Sequence, residues 1–218
     1  MPEPDPDEIA QVVAAAKVGH DRLNATIAGL TDDQARSPSL LPGWTVGHAL
    51  THIARNGDSH TRMLRAAIAG DSVSQYAGGH ERRAADIEAG AARSARELVD
   101  DVAASSATLD ATWDAMTAEA WAGHGLNAGG ETWPCAAMPM HRWREVEIHH
   151  VDLGLGYEPM DWPDGYVDRE LAISLRLLPE RLGGADQRAL LAWLLGRADL
   201  PTHLELAPWQ HRPDHYLR

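Results

Sequence analysis

Near the start of the chain Ile9, Val12, Val13, Ala16, Leu23 and Ile27 recur at helical spacing as far as Gly29, which predicts a first helix behind a Pro- and acid-rich stretch. Thr31-Asp-Asp-Gln34 has the form of a capping box, so a short helical turn is expected there, ended by Pro38. After the loop Leu40-Leu-Pro-Gly43, Thr45 suits the N-cap of a second long helix running to about Gly70. Its apolar face is Val46, Leu50, Ile53, Leu64 and Ile68. Beyond Gly78-Gly79, the stripe Ile87, Ala91, Ala95, Leu98 and Val102, carried on by Leu109, Trp113 and Met116, predicts a third long helix from about Glu81. Gly123 to Pro134 reads as irregular with a short extended piece. A fourth helix is expected from about Ala137 to Leu153, stopped near Gly154 and Gly156. Two more helical patterns, Tyr166 to Leu178 and Asp186 to Arg197, lead into a Pro-containing tail whose Trp209 is expected to lie back on the body.

Four long helices with connections of mixed length define a mainly α fold, a four-helix bundle over residues 1–157, with a short and mostly helical C-terminal extension over 158–218. Composition narrows what such a bundle can do. The 218 residues hold 19 basic and 32 acidic side chains, twelve histidines, one cysteine and no phenylalanine. A chain of this size buries about 70% of its extended surface without staples. With Cys135 alone, an internal disulfide and any zinc site built on two thiolates are excluded, so a metal would have to be held by imidazole and carboxylate. A formal charge of -13 argues against a nucleic-acid partner, which needs a basic footprint. No apolar run of about 18 residues occurs, and MPEPDPDEIA lacks the basic and apolar regions of a secretory leader. No membrane partner and a cytoplasmic location are therefore expected.

The chemistry concentrates on the second and fourth helices. His48, His52 and Ser59 make a polar row beside the core stripe of the second. In the fourth, Glu145 and His149 are four residues apart, and Asp152 falls on the same side of the helical wheel. One helix can thus give two ligands to one cation, and a third ligand from a facing helix would leave a coordination position open, as in catalytic zinc. On spacing alone, a Glu-x-x-x-His pair on a helix is most often a solvated ion pair or a capped surface face.

A resemblance narrows the choice. Ser39-Leu-Leu-Pro-Gly-Trp-Thr-Val-Gly-His48-Ala-Leu-Thr-His52-Ile-Ala-Arg-Asn56, with Arg142-Trp-Arg-Glu145-Val-Glu-Ile-His149-His-Val-Asp152-Leu-Gly, resembles the mycothiol-dependent maleylpyruvate isomerase family, one of the DinB-like metal-binding four-helix bundles. The likeness covers about residues 8 to 157. It implies His52, Glu145 and His149 as ligands of zinc, or of another divalent ion that such a donor set accepts. Water or the thiol of mycothiol would take the open position. Leu190-Leu-Ala-Trp193-Leu-Leu-Gly196-Arg197 matches a C-terminal helix of the family, but the strands that normally intervene are missing. Arg197 is a candidate for catalysis by holding a carboxylate, or else it satisfies the last carbonyls of its helix. His48, Asn56 and Asp152 are candidate supports of the ligands, with Asp152 suited to accept the second ring N–H of His149. His141 shares the Glu145 face as a possible fourth ligand, His150 points about 100° away, and Cys135 reads as a small buried residue.

The activity implied is a metal-assisted, mycothiol-dependent cis–trans isomerisation of maleylpyruvate or a similar electrophilic acid, the metal holding the thiol as thiolate. The partners would be a small-molecule thiol and an electrophilic substrate. Two alternatives stay open: a mycothiol S-transferase acting on another electrophile, and a non-enzymatic metal- or thiol-binding module. The sequence gives no oligomeric state.

Overall fold

The fold is that of a computed structural model, which describes residues 5–199 and 201–207. Trp209 lies outside the described residues. Helix α1 (Pro6–Ile27) starts where the Asp5 carboxylate accepts from the Asp7 amide, with Pro6 in the first turn. The short α2 (Asp32–Arg36) is closed by a complete Thr31–Gln34 capping box. Helix α3 (Val46–Ile68) begins at the Thr45 N-cap. Its inner face buries Val46, Leu50, Ile53 and Leu64, whereas Ile68, the last residue of the helix, is exposed.

The third long helix is two helices. α4 (Gly79–Ala91) and α5 (Ala95–Asp114) are separated at Ala92-Arg93-Ser94, where the Ser94 hydroxyl accepts from the Glu97 amide and Glu97 returns to the Ser94 amide. This capping box gives the backbone a better way to satisfy its free N–H groups than continuing the helix. The short α6 (Ala118–Trp121) leads to an antiparallel hairpin, β1 (His124–Leu126) with β2 (Thr132–Pro134), in which Gly125 pairs with Trp133. Then come α7 (Met138–Asp152), α8 (Asp164–Arg181) and α9 (Gly184–Leu194). Gly154 follows α7 at φ 66°, a left-handed stop that suits glycine.

The four long helices close a ring in which α1 touches α5 and α7, and α3 touches the same two. Inside it two apolar clusters lie end to end. One holds Val12, Ala16, Leu64, Leu109, Trp113 and Trp143, the other Leu23, Ile27, Leu50, Ile53, Leu98 and Val146. Between them, on every helix, a polar residue is buried: His20, Asn56, Ser105 and Arg142. The Arg142 guanidinium donates to His20 Nε2, to the Ile53 carbonyl and to Asn56 Oδ1, at 2.8 to 3.0 Å. Burial pulls Arg142 down to about 10, which leaves it charged at neutral pH. Among the described residues its hydrogen-bond partners are all neutral acceptors. Among the described residues no helix is long and apolar enough to cross a membrane.

Candidate metal centre

Helices α3 and α7 are neighbours in the ring, and α3 turns one donor and α7 two into a shared cavity of about 540 Å³. His52 sits seven residues into α3, two turns from a capped and therefore fixed start. Glu145 and His149 lie one turn apart on α7. His52 Nε2 stands 3.1 Å from both Glu145 Oε2 and His149 Nε2, and one donor atom from each residue falls within 4.8 Å of the others. Behind His149, its Nδ1 is 2.8 Å from Asp152 Oδ2, the carboxylate partner a ligating histidine needs to fix its tautomer.

The electrostatics are those of a buried, tightly coupled cluster of imidazoles and carboxylates. Burial pulls His52 down to about 4, against the opposing pull of Glu145. For Glu145, burial acts upward, but hydrogen bonds from His149 and His52 prevail and hold its carboxyl well below the usual range. Burial acts downward on His149, yet Asp152 and Glu145 outweigh it and push the ring up to about 9. A cation entering here would displace a proton from His149 and inherit a carboxylate already ionised. The donor set of two imidazoles and one carboxylate, with a free side toward the cavity, suits zinc or a similar divalent ion.

The cavity is also walled by Leu41, Trp44, Asn56, Gln75, Tyr76, Arg83 and His141. Asn56 accepts from Arg142 through Oδ1, which turns its amide nitrogen the other way, and Asn56 lines the cavity. Two candidates lie elsewhere. His48 occupies the third position of α3, where Nδ1 accepts from the Thr45 amide, and its Nε2 lies 3.3 Å from Glu88. Arg197 is exposed after α9, donates to the Gly196 carbonyl and does not line the cavity. His141 pairs with His60 at 3.1 Å, and its Nε2 is 3.5 Å from Glu145 Oε1. His150 turns away to Thr26, and burial pushes the Cys135 thiol up to about 12, which leaves it inert at neutral pH. Tyr76 and Arg83, from the α3–α4 connection and the start of α4, carry no motif that would have marked them in sequence.

Fold and cluster together define a DinB-like four-helix bundle with a two-histidine, one-carboxylate site between adjacent helices. The chain belongs to the family of the mycothiol maleylpyruvate isomerase N-terminal domain, whose model matches residues 16–154. Among solved structures it is similar to the mycothiol-dependent maleylpyruvate isomerase, with 26% identity, a TM-score of 0.72, and coverage of 79% of this chain and 72% of that one. A histidine-to-alanine mutant of a mycothiol-dependent maleylpyruvate isomerase gives 26% identity, a TM-score of 0.73, and coverage of 80% and 73%. YfiT from Bacillus subtilis, described as a probable metal-dependent hydrolase with an unusual four-helix bundle topology, shares the fold at 13% identity and a TM-score of 0.57, over 75% of this chain and 93% of its own. No curated protein matches the chain.

Proposed function

We propose that the protein is a mycothiol-dependent, metal-assisted cis–trans isomerase acting on maleylpyruvate or a similar electrophilic acid. The observation that carries this reading is the convergence of His52, Glu145 and His149 on one cavity, with Asp152 behind His149, in a chain of this family. In it, His52, Glu145 and His149 hold zinc or another divalent ion, and Asp152 and Asn56 fix the surroundings. A cation there lowers the pKa of a bound thiol, so that a thiolate is available at neutral pH to add reversibly to an activated double bond and let it rotate.

The chain's own residues do the rest. Asp152 holds the His149 ring so that Nε2 faces the cavity. Trp44, edge-on to His52 at 5.7 Å, and Leu41 shield that ring from water on the loop side. Asn56, fixed by Arg142, is placed to donate to an oxygen of the bound acid. Residues 1–157 form the unit that carries the site, and 158–218 a shortened extension.

Purified protein is expected to carry close to one zinc, and His52→Ala to lose it; full metal retention in that variant would remove the site assignment. With mycothiol and maleylpyruvate, mass spectrometry should find an isomer of unchanged mass. A stable S-conjugate would make the protein a transferase instead, and binding of metal and thiol without turnover of any electrophile would make it a binding module.

A further inference from the structure

The cavity wall carries one guanidinium among its described lining residues, that of Arg83. Its Nη2 stands 2.9 Å from Nδ1 of His52, and its guanidinium carbon lies 5.7 Å from the centre of the Tyr76 ring. Arginine has five donors and no acceptor, so Nδ1 of His52 must accept, and a neutral ring then carries its proton on Nε2. But Nε2 is the atom that faces Glu145 and His149, each at 3.1 Å. A cation held by these three residues takes the Nε2 lone pair, which moves the proton of His52 to Nδ1. One N–H would then face another across the same 2.9 Å, with a guanidinium charge near the cation. The Arg83–Nδ1 contact and a cation on Nε2 therefore exclude each other.

We propose that Arg83 is the carboxylate clamp of this cavity, turned from Nδ1 of His52 to the substrate by a divalent cation on Nε2. Its planar fork suits bidentate recognition of a carboxylate, which the electrophilic acid supplies. The segment that carries it can yield: the buried residues of α4, Ile87 and Ala91, both lie beyond Arg83, and the helix starts on Gly78 and Gly79 at φ 91° and 68°. The aromatic face of Tyr76 gives the cation a resting place beside the cavity. Arg83 thus takes the part for which Arg197 was the sequence candidate. The proposal rests on the metal-site reading above and adds to it the residue that selects an acid.

The test uses two ligands and no turnover. Zinc affinity is measured with a competing chromophoric chelator, and maleate, a small dicarboxylate, is titrated into the zinc-loaded protein by calorimetry, for wild type, Arg83→Ala and Arg83→Gln. Zinc should bind about tenfold more tightly in both variants, because nothing then opposes the Nδ1–H form of His52. Maleate should bind about tenfold more weakly or worse, because a charge-assisted pair is lost. Opposite signs are the signature, since a purely structural loss would weaken both. Zinc affinity unchanged or lowered in the two variants, or maleate affinity unchanged, overturns the clamp and leaves the metal site standing. A wild type that takes up no zinc removes the metal site and the clamp together.

Discussion

His149 and His150 are neighbours in sequence with opposite fates. His149 faces the cavity between two carboxylates and is pushed up to about 9, while His150 turns inward, stacks on Tyr157 with ring centres 3.8 Å apart, and meets Thr26 Oγ1 at 2.9 Å. Burial pulls His150 down to about 4, and the Arg22 charge adds to the effect. The sign of the linkage follows. Between about 6.5, the ordinary histidine value, and about 4, the unfolded chain holds a proton at this position that the folded one refuses, so stability falls as pH drops through that window. His149 works the other way: its contribution is full below about 6.5 and is lost as pH rises through about 9. His150→Gln should therefore flatten the acid limb. The urea midpoint of the variant should fall less between pH 7 and pH 4.5 than that of the wild type, and an equal fall would show that His150 is not a source of acid sensitivity. The same two residues show what sequence can say about a site. An i,i+4 pair on one helix face is legible from spacing, and the resemblance joined His52 to it across 93 positions. What the spacing could not reveal is Arg83, because nothing local to the start of α4 tells which cavity that turn overlooks. His48 was legible in another sense: it is the third residue after an N-cap threonine, a position whose side chain commonly turns back to the cap.

At the scale of elements, the break between α4 and α5 is where pattern reading went astray. Ile87, Ala91, Ala95 and Leu98 keep helical spacing straight through it, because both helices turn their apolar sides to the same core. Periodicity reports which face is buried, and it is silent about whether the backbone runs on. The mark of the break was present as Ser94-Ala-Arg-Glu97, a capping box of the same kind as the one that correctly opened α2 at Thr31. Ser94→Ala should cost about 1 kcal/mol in a urea titration, with zinc uptake unchanged, since the cap faces away from the cavity. A loss below a few tenths would mean that Asp32, which accepts from the Ala95 amide at 2.7 Å, is enough to start α5. The other elements were legible to different degrees for plain reasons. α1, α3 and α7 have long stripes with strong stops, whereas a hairpin of two three-residue strands is too short to leave an alternating pattern.

Across the whole molecule the site and the polar layer are one construction. Arg142 lies three residues before Glu145 on α7, and Asn56 four residues after His52 on α3, so the buried guanidinium that joins these helices in the core stands one turn below the donors that join them at the cavity. In the function proposed above, two cations at adjacent levels would then set the spacing of α3 and α7, the permanent guanidinium of Arg142 and an exchangeable divalent ion. If a divalent ion binds the three donors, it closes the second link in the folded state only, and linkage then requires the fold to gain stability with free zinc. At a free concentration one hundred times the dissociation constant the gain is about 2.7 kcal/mol. For a chain of this length that raises the melting temperature by about 5–10 °C. Differential scanning fluorimetry with zinc buffered at two free concentrations should show this shift in the wild type and lose it in His52→Ala. The comparison is between shifts within each protein, so a variant that is less stable from the start still gives a readable answer. A shift that survives in His52→Ala would place the stabilising ion somewhere other than between His52, Glu145 and His149.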